Sequence, residues 1–127
     1  DEVMRRMAAK AEIAAKNNLV LFHENEHRIY GDSPDRVADI LTTVNSPALR
    51  AAYDAANYAY CNYDPVDGWE KTKAYTTHLH IKDWKTGGHA AGHEHGVIAG
   101  TGDGHIAHSI KGAVAMGYKG FAVLEPH

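Results

Sequence analysis

Two kinds of periodicity in the apolar positions divide the chain into alternating helices and strands. Apolar residues at helical spacing predict four helices, which cover residues 1–18, 31–47, 64–75 and 105–117. The second helix has Ser33 as its N-cap and Pro34 at its first helical position, a combination typical of helix starts. Short apolar runs predict four strands, which cover residues 19–24, 49–54, 76–82 and 120–125. We therefore expect a parallel sheet with its strands in sequence order and the helices on one outer face.

A residue that can bind a metal stands at the carboxyl end of each predicted strand. These residues are Glu24, Asp54, His80 and Glu125. A single acid at a strand end usually caps a loop or is solvated, but its recurrence in four consecutive strands indicates a common site. In parallel α/β folds the carboxyl ends of the strands are where ligands bind. The pattern therefore predicts that the four side chains converge.

Composition and charge restrict the class of partner. The chain has 127 residues, of which 44% are hydrophobic and 23% charged, as expected for one globular domain. A net charge of −3 with scattered lysines and arginines argues against nucleic acid and anionic membranes and favours a small molecule. No apolar run reaches the roughly 20 residues that span a bilayer. The single cysteine, Cys61, fits a reducing compartment, and we expect a cytoplasmic protein.

Several stretches carry a family resemblance. The segments "LFHENE", "YGDSPDR", "NSPALRAAYDAANY", "HLHIKD", "AGTGDGHI" and "GYKGFAVLEPH" resemble the C-terminal half of sugar phosphate isomerases and epimerases, the xylose isomerase-like TIM barrels. The resemblance covers nearly the whole chain. It implies an α/β fold made of the last four β/α units of a (β/α)8 barrel, with parallel strands and without the final helix. In that family a divalent metal is bound by the equivalents of Glu24, Asp54, His80 and Glu125.

The ligand set and the resemblance together predict a reaction. Three carboxylates and one imidazole suit Mn²⁺, Mg²⁺, Co²⁺ or Zn²⁺, and such an ion polarises a sugar carbonyl as a Lewis acid. The resemblance implies that Glu24 and Glu125 are also the acid/base pair. We expect a metal-dependent isomerase or epimerase that acts on a sugar, sugar phosphate or related polyol through an enediolate-type intermediate.

Four further residues are candidates for substrate binding. Glu26 shares a strand face with Glu24 if the extended pattern continues, and a solvated loop acid is an equally good interpretation. Asn57 follows Asp54 by three residues, where some relatives have histidine. The family-like "HIKD" adds two more candidates, Lys82 and Asp83, of which Lys82 could bind a substrate oxygen or phosphate. His78, deeper in the same strand, is expected to be an interior residue of the barrel.

The segment 84–104 contains seven glycines and a histidine cluster. The histidines His89, His93 and His95 could bind a second metal, although the spacing is not that of a helical zinc motif, and a mobile lid is the favoured alternative. The "GTGDG" stretch precedes a helix and would leave free backbone N–H groups there, a potential phosphate site. A glycine-rich turn without phosphate explains the same residues equally well.

The length of the chain conflicts with a complete barrel. Barrels of this type take about 250 residues, so we expect residues 1–127 to form one partial barrel domain that lacks activity alone. Its open sheet edges predict pairing with a missing barrel half or self-association. Two alternatives remain at this stage. One is an endonuclease-IV-like enzyme that cleaves abasic DNA, in which Asn57 would replace a metal-binding histidine, and the other is a non-catalytic sugar or metal binder.

Overall fold

The computed structural model describes residues 2–86 and 96–125. The helices are α1 (Glu2–Lys16), α2 (Pro34–Val44), α3 (Ala55–Tyr60), α4 (Pro65–Thr72) and α5 (Ile106–Ala115). The strands are β1 (Leu21–Glu24), β2 (Leu49–Asp54), β3 (Thr76–Ile81) and β4 (Phe121–Leu124), and a 3-10 turn covers Tyr30–Asp32. Among the described residues, no helix is both long and apolar enough to cross a lipid bilayer.

The strands form one parallel sheet in the order β1-β2-β3-β4. This confirms the predicted α/β fold and the sequence order of the strands. The register places Asp54 of β2 opposite His80 of β3, and the backbone N–H of Glu125 donates to the carbonyl of Ile81 at 3.3 Å. That hydrogen bond continues the pairing of β3 and β4, so Glu125 lies at the same edge of the sheet although it follows the last strand residue.

The hydrophobic core lies between the helices and one face of the sheet. Val37, Ile40 and Leu41 of α2 pack in one buried cluster with Tyr53 of β2 and Leu79 of β3. Alternation along the strands turns the side chains of the intervening positions to the other face of the sheet.

The helix start at α2 is the one that the sequence predicts. Ser33 Oγ accepts a hydrogen bond from the backbone N–H of Arg36 at 3.4 Å, and Pro34 is the first residue of the helix. The helix ends at Val44 and is followed by the C-cap Asn45, which has a left-handed backbone conformation. The N-cap, the proline and the apolar stripe all indicate the same helix, which is why the sequence predicts this helix correctly.

Two features differ from the prediction. Helix α3 begins directly after β2, because the Asp54 side chain caps it by accepting the backbone N–H of Asn57 at 2.9 Å. The first strand is also shorter than predicted, since Leu19 and Val20 precede it and are exposed. The sheet ends at β4, where Phe121 is 73% and Leu124 is 75% exposed. The predicted self-association through open edges stays a prediction.

Candidate metal centre

The carboxyl edge of the sheet gathers one polar side chain from the end of each strand. Glu24 ends β1, Asp54 ends β2, His80 is the penultimate residue of β3, and Glu125 follows β4. Each offers one ligand atom, and these four atoms all lie within 4.8 Å of one another. Hereafter these four residues are called the acid–histidine cluster.

His80 lies at the centre of the acid–histidine cluster. Its Nδ1 atom is 3.0 Å from Glu24 Oε1, 3.2 Å from Glu125 Oε2 and 3.6 Å from Asp54 Oδ2. Hydrogen bonding to Asp54 and Glu24 raises the pKa of His80 to about 10, against the opposing effect of burial. The imidazole is therefore protonated at neutral pH, because three carboxylates favour a positive charge at this position.

Lys82 brings a second positive charge to the same place. Its Nζ atom lies 3.0 Å from Asp54 Oδ2 and 2.8 Å from Glu125 Oε2, and the residue is 8% exposed. Burial lowers the pKa of Lys82, but the neighbouring Asp54 and Glu125 carboxylates outweigh it and raise the pKa overall. Lys82 thus stabilises two of the three carboxylates.

Asn57 connects the first two strand ends. Its Nδ2 atom lies 2.8 Å from the carbonyl of Asn25, 3.2 Å from Glu24 Oε1 and 3.5 Å from Glu26 Oε2. Glu26 also accepts hydrogen bonds from the backbone and ring of His27. Asn57 and Glu26, both predicted substrate contacts, are therefore next to the acid–histidine cluster, and Asn57 orients Glu24.

Sequence reasoning missed Asn25. This residue is 2% exposed, donates from Nδ2 to the carbonyl of Asp54 at 2.7 Å, and accepts the Asp54 backbone N–H at Oδ1 at 2.9 Å. The paired hydrogen bonds fix the end of β1 to the end of β2. The only signal in the sequence is an amide directly after Glu24, and nothing in the local pattern indicates its distant partner.

Asp54 uses its two carboxylate oxygens differently. Oδ1 caps α3 through the N–H of Asn57, whereas Oδ2 faces Lys82 and His80. The residue is fully buried. The same carboxylate therefore starts a helix and takes part in the acid–histidine cluster.

Asp83 is turned away from the cluster. It is 1% exposed, and its two oxygens accept backbone N–H groups from the segment 84–104. Its predicted role in substrate binding stays a prediction, and these contacts show a structural role beside it.

Aromatic and imidazole rings lie next to the acid–histidine cluster, around His78 of β3. The ring of His78 is 5.2 Å from that of Phe22, 6.2 Å from that of Phe121 and 5.1 Å from that of His80. Burial and the neighbouring His80 lower the pKa of His78. His78 is half-buried among these rings, and its expected place in the interior of a barrel stays a prediction.

The three histidines that could bind a second metal, His89, His93 and His95, lie outside the described residues. Within residues 2–86 and 96–125, the acid–histidine cluster is the group with the geometry to hold a metal ion. Its oxygen-rich donor set suits a hard divalent cation. The four ligand atoms are close enough to share one ion, and the three carboxylates supply negative charge that a cation would neutralise. Because a ligating imidazole must be neutral, a bound ion would replace the proton of His80.

Comparison with known proteins identifies similar folds. A sequence model of the xylose isomerase-like TIM barrel family matches residues 1–127. A xylose isomerase domain protein from Planctomyces limnophilus has a TM-score of 0.81 and 23% identity, over 98% of this chain and 45% of its own. A xylose isomerase-like TIM barrel protein from Mycobacterium smegmatis, solved in complex with magnesium, has a TM-score of 0.75 and 19% identity, over 100% and 44% of the two chains.

A third solved structure of the same fold is D-allulose 3-epimerase from Methylomonas sp. in complex with D-allulose. It has a TM-score of 0.72 and 16% identity, over 97% of this chain and 40% of its own. The chain thus spans less than half of the length of each of these structures. No curated protein matches the chain in sequence.

Proposed function

Because the chain belongs to the xylose isomerase-like TIM barrel family, we propose that it carries the metal centre of a sugar isomerase or epimerase. Glu24, Asp54, His80 and Glu125 are the proposed ligands of a divalent cation. The observation that carries this proposal is the convergence of their four ligand atoms within 4.8 Å at the carboxyl edge of a parallel sheet. The magnesium complex of a protein with the same fold supports the class of ion.

The proposed chemistry divides between the cation and the protein. A bound divalent cation would supply a Lewis acid that polarises the carbonyl of the sugar. Glu24 and Glu125 reach the cluster from the two edge strands, on opposite sides of His80. One carboxylate can therefore remove the proton beside the carbonyl while the other returns a proton on the opposite face or at the neighbouring carbon.

Neighbouring polar groups would orient the substrate and the carboxylates. Asn57 holds Glu24 by a hydrogen bond, and Lys82 lies against Asp54 and Glu125. Glu26 is next to Asn57 and half-exposed, so its carboxylate is available to a sugar hydroxyl. We propose Asn57, Lys82 and Glu26 as the substrate-facing groups of this half of the site.

The proposal includes the architecture around the site. We propose that residues 1–127 form one half of a (β/α)8 barrel and that the other half pairs with the edges of β1 and β4. The share of each related structure that the chain covers supports this arrangement. The expected partner is a sugar or related polyol, in a protein located in the cytoplasm.

Titration of the chain with Mn²⁺ tests the metal site. Calorimetry should detect one ion per chain with the wild-type protein and none with His80→Ala. The control is His108→Ala, because His108 lies on α5 and its partner among the described residues is Glu70 at the surface; this variant should bind Mn²⁺ as the wild type does. Equal binding by His80→Ala and the wild type would contradict the proposal.

The reaction is tested separately in the complete barrel, with D-allulose as the first probe. Incubation with Mn²⁺ in D₂O should incorporate deuterium beside the carbonyl, which NMR detects even before a product accumulates. Loss of water from the substrate would instead identify a dehydratase. Metal binding without exchange on any sugar would favour the non-catalytic binder, and cleavage of abasic DNA would favour the nuclease.

A further inference from the structure

The carboxylate of Asp83 is enclosed by backbone N–H groups. Oδ1 accepts from Trp84 and Gly104, each at 2.9 Å, and Oδ2 accepts from Gly100 and Gly102, each at 2.8 Å. Four charge-assisted hydrogen bonds to one buried carboxylate are a complete set, two for each oxygen. Residues 100–104, together with Trp84, are called the N–H nest below.

Every backbone N–H from residue 100 to residue 104 has an acceptor within the chain. Thr101 donates to the carbonyl of Ile98 at 2.9 Å, Asp103 donates to the carbonyl of Trp84 at 2.8 Å, and the three glycines between and beside them donate to Asp83. The sequence alone left open whether "GTGDG" binds phosphate. In the structure, the N–H groups of the three glycines in this stretch donate to the chain's own carboxylate at Asp83.

The glycines of the N–H nest are fitted to this carboxylate. A Cβ atom at position 102 would lie 2.3 Å from Asp83 Oδ1, and one at position 104 would lie 2.7 Å from it. Gly100 has a φ of +92°, a backbone conformation that side chains disfavour. The backbone also ties the nest to β3, because Val97 donates to the carbonyl of Asp83 at 3.0 Å.

We infer that Asp83 is a positioning residue: its carboxylate is the resident anion of the N–H nest, and it fixes the nest to the end of β3 in place of a substrate phosphate. Asp83 acts through its neighbour in the chain, because the same backbone segment presents Lys82 to Asp54 and Glu125 on the opposite side. One consequence rests on the proposed function: the part of the sugar that reaches this segment carries no phosphate group bound by the nest.

The wild-type chain gives the first test, which requires neither a metal nor turnover. Inorganic phosphate is titrated into ¹⁵N-labelled protein while the amide signals of Gly100, Gly102 and Gly104 are followed. These signals should stay unchanged, because their N–H groups already donate to Asp83. Saturable movement of the three glycine signals would overturn the inference, whatever the outcome of the metal and activity experiments.

Replacement of the carboxylate gives the second test. Asp83→Ala should lower the midpoint of thermal unfolding by roughly 10 °C, because four N–H groups, one in a buried and three in partly buried hydrogen bonds, lose their charged acceptor. Formate fits the vacated space and should restore about half of that loss, whereas chloride at the same ionic strength should not. Formate should also move the signals of Gly100, Gly102 and Gly104 in this variant.

The matched control is Asp103→Ala. Asp103 lies in the same segment and accepts the N–H of Thr86 at 2.8 Å, but its side chain is half-exposed. Formate should not change the unfolding midpoint of this variant. An Asp83→Ala protein as stable as the wild type, or one that formate does not stabilise, would overturn the inference. If Asp83→Ala fails to fold, Asp83→Asn replaces it, and an unchanged midpoint in that variant would have the same meaning.

Discussion

Lys82 and Asp83 are adjacent in the chain, yet they enter opposite kinds of polar surroundings. The Lys82 ammonium lies among side-chain carboxylates, whereas the Asp83 carboxylate lies among backbone N–H groups. The N–H nest satisfies Asp83 completely and uses neutral donors. The acid–histidine cluster brings three carboxylates together, and within residues 2–86 and 96–125 Lys82 and a protonated His80 offset their charge.

In the N–H nest the hydrogen bonds of the carboxylate are satisfied, whereas the acid–histidine cluster can still exchange a proton or bind an ion. Backbone donors are fixed by the fold, so the nest has no proton or ion to exchange. Side chains in the acid–histidine cluster can exchange a proton for a cation, because His80 is a ligand only when neutral. The predictions below test whether the two sites really differ in this way.

The largest effect is expected from Glu125→Gln in the complete enzyme. The amide keeps the size and one ligand oxygen but cannot act as a base, so turnover should fall roughly 10²–10⁴-fold. Metal affinity, measured by calorimetry, should fall much less. Glu12→Gln is the control, because Glu12 is exposed on α1, where it pairs with Lys16. Normal turnover by Glu125→Gln with metal bound would show that Glu125 is a metal ligand without an acid/base role.

Lys82→Met is expected to destabilise the metal-free chain by about 3 kcal/mol, because it leaves the buried Asp54 carboxylate without its cation. Chemical denaturation measures this loss of unfolding free energy. Mn²⁺ should stabilise the variant more than it stabilises the wild type, since the cation then replaces the missing charge. Equal stabilisation of both proteins would show that Lys82 and the metal do not share the carboxylates.

Saturation with metal should stabilise the wild-type chain as any ligand of the native state does. At a free Mn²⁺ concentration 100-fold above Kd, the gain is about 2.7 kcal/mol, measured as a rise in the thermal midpoint that EDTA reverses. Asp103→Ala should show the same rise, because the Asp103 side chain is half-exposed and accepts the N–H of Thr86, outside the acid–histidine cluster. If Mn²⁺ did not raise the thermal midpoint of the wild type, the acid–histidine cluster would bind no cation, like the nest.

The smallest of these effects is expected from Asn25→Ala. Loss of the two hydrogen bonds to the Asp54 backbone should weaken Mn²⁺ binding roughly 10-fold, as changes behind metal ligands commonly do. Asn17→Ala is the control, because Asn17 caps an exposed helix end through the carbonyl of Ile13. Unchanged affinity in Asn25→Ala would show that β2 places Asp54 without help from β1.

The sequence predicts the fold and the acid–histidine cluster because both depend on local patterns. Apolar runs locate the strands, and the parallel order brings their polar ends to one edge. The role of Asn25 could not be predicted, because its partner lies 29 residues away. The hydrogen-bond partners of Asp83 could not be predicted either, because 17 to 21 residues separate it from the three glycines that donate to it. Helix α3 escaped prediction because it is short and its N-cap, Asp54, is also the last residue of the predicted strand.

Asp54 both caps α3 and belongs to the acid–histidine cluster, and these two roles affect how such a site can be lost in evolution. A lineage that abandoned the metal could exchange Glu24 or Glu125 with little effect on the backbone. Position 54 would still need a capping side chain to start α3, so selection for folding would retain Asp, Asn, Ser or Thr there. An acid at this position in a distant descendant is therefore explained by the start of the helix as well as by metal binding. Retention of Glu24 and Glu125 is the better evidence that the descendant keeps the function.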